Sequence, residues 1–188
     1  MFFRAFQILT ALIATFIGLS LFLTLAFRFV PVPVTWTMIL DENGYTKDWR
    51  SLDDIDRSLV RAVMENNMQG KKLRGGSTIS QQTAKNVFLW QGGGFFRKGL
   101  EAWFTVLIER LWTKRRIMEV YLNVAETGIG TYGAQAGSLR YFGHGADRLS
   151  NSEAARMAVA LPSPKKREVK NPQGWLRRHG DRMARSVG

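Results

Sequence analysis

The sequence predicts a mainly α-helical chain, with one N-terminal helix long enough to cross a membrane and a helical globular domain behind it. Three observations predict this. Ala5 to Phe27 contains no charged residue. Beyond it, apolar residues recur at three- and four-residue spacing behind Ser and Thr positions suited to helix capping. Finally, 188 residues of 45% hydrophobic content are enough for one core once the membrane segment is set aside.

Residues 1–4 form a short tail, and residues 5–27 are bracketed by Arg4 and Arg28. As a helix the run spans roughly 34 Å, which covers a bilayer core. A cleaved signal peptide is the competing reading, but its apolar region is typically about 7–15 residues and ends at a small-residue site, which is not evident here. One arginine on each side gives almost no charge bias for orientation. Residues 28–46 read as an extended connector, because Pro31 and Pro33 disfavour helix in the residue before each. Ser51 with Asp54 has capping-box spacing ahead of Leu52, Ile55, Leu59 and Val63, and Gly70 supplies a stop. A second helix opens at Ser77 and Thr78. A third begins near Gly99 and carries Leu100, Trp103, Phe104, Leu107, Ile108 and Leu111 on one wide face. Thr113 to Arg116 marks either a kink or a fresh start, and Gly128, Gly130 and Gly133 predict a loop. Ser150 with Glu153 caps a last helix through Leu161, ended by Pro162 and Pro164. The basic run over 165–188 reads as a solvated or lipid-facing tail.

Twenty-seven Lys+Arg against 15 Asp+Glu give a formal charge of +12, which implies an anionic partner. Nucleic acid is not expected, since no RNP, helix-turn-helix or zinc pattern is present. The chain has no cysteine, which excludes a disulfide framework and any thiolate chemistry, and only His144 and His179 offer imidazole. Carboxylates could still hold a hard divalent cation beside a phosphate.

The stretch richest in chemistry is GGSTISQQTAKN, Gly75 to Asn86. Its glycines let a backbone approach a ligand, Thr78 with Gln81 fits a capping box, and Gln81, Gln82, Lys85 and Asn86 share a helix face. The N–H groups and positive dipole end at Ser77 and Thr78 suit a phosphate or pyrophosphate. On spacing alone, an ordinary capped helix with a solvated face fits equally well. The following FLWQGGGFFRKG, Phe88 to Gly99, sets aromatics and a basic pair around three glycines. Two readings stand for its aromatics, dipping into lipid headgroups and packing on the core.

Three ordered blocks, GGSTISQQTAKN at Gly75–Asn86, RKGLEAWF at Arg97–Phe104 and KRRIMEVYLNVAE at Lys114–Glu126, resemble the motifs of the monofunctional biosynthetic peptidoglycan glycosyltransferases. YGAQA, YFG and SEAARMAVALPSP continue the match, so the resemblance covers roughly 47–164, expected as the glycosyltransferase domain. It implies a lysozyme-like, mostly α domain on the outer face of the bacterial cytoplasmic membrane that polymerises lipid II onto a growing glycan strand. It also implies that Gly76, Ser77, Thr78, Gln81, Gln82, Lys85, Asn86, Arg97, Lys98 and Asn123 contact substrate. Lys85, Arg97 and Lys98 are its natural pyrophosphate partners. Glu119 matches a carboxylate that positions substrate or metal near the leaving group, with Mg or Mn as the cation such chemistry could use. On spacing alone Glu119 is instead an i,i+4 ion-pair partner of Arg115.

Two departures from the family pattern stand out. The first motif, EDxxFxxHxG, whose glutamate is the expected general base, is absent. Arg61-Ala62-Val63 resembles its lead-in, while Met64 to Gly70 resembles what normally follows 20 or more residues later. Glu65 belongs to that downstream flank and is not assigned as base. An arginine expected before Arg97 is replaced by Gly92, Gly93 and Gly94. The alternative function is therefore a non-catalytic lipid II binder or scaffold for other cell-wall synthesis proteins. A basic membrane-surface or nucleic-acid adaptor is a third.

Overall fold

The structure, a computed structural model, describes residues 2–74, 78–161, 165 and 167–187, with backbone alone over 70–74. In chain order the elements are α1 (Phe2–Phe29), α2 (Trp36–Ile39), β1 (Thr46–Lys47), α3 (Arg57–Arg74), α4 (Ile79–Phe88), α5 (Gly94–Leu111) and α6 (Lys114–Val124). They continue with β2 (Glu126–Gly128), β3 (Thr131–Tyr132), α7 (Ala134–Phe142), α8 (Asn151–Ala160) and α9 (Gly174–Val187). The mainly α expectation holds.

α1 runs for 28 residues, about 42 Å at 1.5 Å per residue, and fits a single-pass membrane anchor. Its C-terminal half docks on α5. Trp103 Nε1 donates to Ser20 Oγ at 3.1 Å and Trp112 Nε1 to the Thr24 carbonyl at 2.7 Å, so Ser20 and Thr24 are buried. Arg116 donates to the Phe27 carbonyl at 2.9 and 3.1 Å and to Val30 O at 2.6 Å, satisfying carbonyls that the end of a helix leaves unpaired.

Two cores flank α4. One is bulky and aromatic, where Phe88 stacks on Phe104 at 4.4 Å beside Trp112, Ile108 and Tyr132. The other is built from Ala62, Ala154, Ala155, Ala158 and Ala160 with Leu59, Leu122, Met157 and Met183, where α8 lies against α3 and α9. Ile79, the first residue of α4, touches both.

Several expectations are corrected. Ser51 opens only a 3₁₀ turn over Leu52–Asp54; α3 starts at Arg57, where Asp56 Oδ1 accepts the Ser58 N–H at 2.8 Å. α3 does not stop at Gly70. It runs unbroken through Val63–Met64 because Leu59, Ala62 and Val63 keep one face on the alanine-rich core. The connector is folded rather than extended: Thr35 caps α2, Val32 and Met38 are buried, and β1 pairs in parallel with β3. The glycine segment after α6 forms the β2–β3 hairpin, giving a sheet of order β1-β3-β2. α5 begins at Gly94, five residues early, and Thr113 makes α6 a fresh start by accepting the Arg116 N–H at 3.1 Å. Where a solvated tail is expected, α9 buries Gly180, Met183 and Val187 against α3 and α8. Pro162 and Pro164 lie outside the described residues.

The aromatic segment divides between its two readings. Phe88 and Leu89 are in the core, whereas Phe95 and Phe96 on the first turn of α5 are 98% and 73% exposed. The three glycines between have φ of +84°, +89° and +55°, a left-handed run that arginine would strain, which accounts for their presence where a cation is expected.

Candidate active site

α4 builds one wall of a cleft of about 530 Å³ lined by Gln82, Lys85 and Asn86 on α4, Tyr121 and Val124 on α6, Glu126, Tyr132, and Asp41 and Lys165 from opposite ends of the chain. The capping box forms as expected: Thr78 Oγ1 accepts the Gln81 N–H at 3.1 Å and Gln81 Oε1 accepts the Thr78 N–H at 2.9 Å. This draws Gln81 back to the helix end, away from the cleft lining. Gly76 and Ser77 lie outside the described residues, so the anion site expected at Ser77 is seen only through Thr78. Gln82 stays in the cleft, its Oε1 accepting the Tyr121 hydroxyl at 3.2 Å.

Lys85 is the cation of this wall, and among the described residues it makes no ion pair. Burial pushes its ammonium below the usual lysine range, partly countered by the Glu101 carboxylate. Arg97 and Lys98 sit one turn into α5 and both bind Glu101, Arg97 Nη1 reaching Oε2 at 2.9 Å. Glu101 is 3% exposed, a buried carboxylate that assembles the basic pair. RKGLE in the sequence contained it, but as part of a motif rather than as an assigned residue.

Glu119 and Asn123 do not line the cleft. Glu119 pairs with Arg116 at 3.1 Å, at the clamp on the end of α1, while Arg115 turns to Asp53; the expected Arg115–Glu119 pair does not form. Asn123 is 1% exposed and fully used by backbone. Its amide donates to Arg50 O and Glu119 O, each at 2.8 Å, and its Oδ1 accepts the Arg50 N–H at 2.8 Å. It joins α6 to the segment after β1. Glu65 also lies elsewhere, accepting from Gln69 at 3.0 Å and from Ser186 on α9 at 2.8 Å.

Sequence reasoning missed the second wall. Asp41 Oδ1 accepts from the Asn43 backbone N–H at 3.1 Å and side-chain amide at 3.0 Å, and Oδ2 accepts the Tyr132 hydroxyl at 2.7 Å. These donors, Asn43 first, hold its carboxyl down at about 2. Lys165 lies 3.7 Å from Asp41 and 3.4 Å from Glu126. Among the described residues no three His, Cys, Asp or Glu side chains converge, and the ammonium of Lys165 already occupies the space between these two carboxylates. A divalent cation held there would have to displace it, so the donor set does not fit a protein-built metal site.

The cleft sets the Lys85 ammonium on one wall against the Asp41 and Glu126 carboxylates on the other, an arrangement suited to a reaction in which negative charge develops on one side and a proton leaves on the other. The chain belongs to the transglycosylase family, whose model matches residues 42–186. It is 42% identical to a biosynthetic peptidoglycan transglycosylase of Caulobacter vibrioides, over 97% of this chain and 90% of the relative. Proteins of the same description from Xanthomonas campestris (39% identical, 92% of this chain, 85% of the relative) and Pseudomonas aeruginosa (42%, 86% and 83%) are also similar. The Caulobacter alignment extends over 207 positions, whereas 97% of 188 residues is about 182. About 25 positions of that relative therefore have no counterpart here, a length that matches the absent first-motif block.

Proposed function

We propose that this chain polymerises lipid II into glycan strands at the outer face of the bacterial cytoplasmic membrane, held there by α1. The observation that carries the reading is the position of Lys85: a half-buried ammonium without an ion pair among the described residues, on the helix that follows GGST, in a cleft inside the family-matched region. A pyrophosphate leaving group supplies the anion that Lys85 lacks, and the Arg97–Lys98 pair extends the positive field behind it. Phe95 and Phe96, exposed on α5 beside the anchor, suit the headgroup layer from which a polyprenyl-linked sugar would enter. The acceptor is the growing strand, whose sugar hydroxyl attacks the anomeric carbon of the donor as the lipid pyrophosphate departs. Developing negative charge then falls on the α4 wall and the proton must leave toward a carboxylate.

The test is incubation of the full chain with fluorescent lipid II in detergent, resolving products by gel. A ladder of glycan strands is the expected result. Binding without a ladder would overturn polymerisation and leave lipid II as the ligand, and a chain that neither binds nor polymerises lipid II would overturn the substrate reading as well.

A further inference from the structure

The cleft holds two carboxylates with opposite surroundings. Asp41 has three hydrogen-bond donors on its two oxygens, which fill most of its accepting capacity. Glu126 is different. Its side chain is 15% exposed, and among the described residues the buried Oε1 has no well-directed hydrogen bond, only the ion pair with the Lys165 ammonium at 3.4 Å. A carboxylate oxygen held by an ion pair alone keeps lone-pair capacity open to a hydroxyl that enters the cleft. The backbone beneath it is firm. Glu126 opens β2 opposite Tyr132, the Gly133 N–H donates to Ala125 O at 2.8 Å, and the Tyr141 hydroxyl donates to Thr127 O at 3.1 Å.

We propose that Glu126 is the proton acceptor of this chain, the carboxylate that takes the hydrogen of the acceptor sugar hydroxyl in the absence of the family's first-motif glutamate. The assignment rests on the lipid II reading above. As the hydroxyl O–H bond breaks, its proton passes to Glu126 and the oxygen pair forms the new bond to the anomeric carbon. The bond from that carbon to the pyrophosphate oxygen breaks with its electrons, and the resulting charge faces Lys85. Protonated Glu126 then returns its proton to the departing phosphate or to water. Burial raises the Glu126 carboxyl above the ordinary glutamate range, Asp41 adds to the rise, and Lys165 and Lys85 oppose it; the Tyr132 and Tyr141 hydroxyls also face it. A base so placed is stronger than a solvated carboxylate, whereas Asp41 is weaker.

The experiment measures lipid II turnover and lipid II binding by the full chain in detergent. Glu126→Gln is expected to lower turnover by about 10²- to 10⁴-fold with binding retained, while Glu126→Asp restores part of the rate. Glu42→Gln, on an exposed neighbour of Asp41, should leave both unchanged. Wild-type turnover should rise with pH through an apparent value above 4.5. Glu126→Gln turning over like wild type, or an acid limb at or below 4.5, overturns the assignment and leaves the substrate reading intact. So does a wild-type chain that binds lipid II without polymerising it. Failure to bind at all overturns both. Should Glu126→Gln not fold, the aspartate variant and the wild-type pH profile still decide.

Discussion

The two cores on either side of the cleft are built from different materials. The aromatic core uses Phe88, Phe104, Trp112 and Ile108, and the indoles of Trp103 and Trp112 reach out to bind Ser20 Oγ and the Thr24 carbonyl of α1. The other core uses alanines, so α3, α8 and α9 approach closely enough for side chains to bond the neighbouring backbone: Asn66 Nδ2 donates to Ala158 O at 2.8 Å and Arg61 to Val187 O at 3.3 Å. Large rings fill volume and anchor the long apolar helix α1; small residues hold helices close. The cleft lies where the two meet, with Tyr121 of the alanine-rich core donating to Gln82 on α4 at 3.2 Å. The difference teaches that the cationic wall can be held rigid by the aromatic core while the carboxylate wall depends on connector, hairpin and C-terminal segment coming together.

Phe104→Ala should give the largest effect. It removes a ring stacked at 4.4 Å with an interplanar angle of 6°, and a loss of about 3–5 kcal/mol is expected by denaturation in detergent. Loss below about 1 kcal/mol would mean that the aromatic core collapses around the gap and does not anchor α1 as described. Lys85→Met tests the cleft rather than either core. Lipid II binding should weaken by about 10- to 100-fold, or about 1.5–3 kcal/mol for a charge-assisted contact. Folding stability should hold or rise, because burial disfavours the ammonium. Weakened folding with unchanged binding would move Lys85 from the site to the scaffold.

Local features were legible in the sequence, and features assembled at distance were not. The boxes at Thr78/Gln81 and Ser150/Glu153 need only three residues of spacing, and both form. The face of α4 follows the same logic, yet Gln81 leaves it because its side chain is needed by the cap. α9 was hidden by its charge, although Leu176, Gly180, Met183 and Val187 recur at helical spacing and could have revealed its buried face. Glu126 stood at the end of a quoted motif with nothing local to single it out. Its environment is made by Asp41 and Lys165, on either side of it and far away in sequence. Asn123, a substrate contact by resemblance, has a structural role the sequence did not reveal because its partner, the Arg50 backbone, is remote.

The alanine-rich core is sharpened by Ala158→Leu, which adds volume where exposure is 0%. It should cost about 1–3 kcal/mol and loosen α3 from α8, readable as faster amide exchange along α3. Toleration of leucine without loss would show that the alanines are not needed for close approach.

The smallest effect is a pH dependence at the rim of that core. His144 bonds Gly145 O through Nδ1 and Glu153 Oε1 through Nε2, each at 3.1 Å, and the Gly145 carbonyl and Glu153 carboxylate raise its pKa above 6.5. The folded state therefore binds its proton more tightly than the unfolded chain. Its contribution is complete below pH 6.5 and is lost as pH climbs through the raised value. His144→Gln should be less stable than wild type in denaturation at about pH 5.5, with the gap closing toward about pH 8.5. A gap that widens with pH would reverse the sign and show that neutral imidazole, not imidazolium, joins α7 to α8.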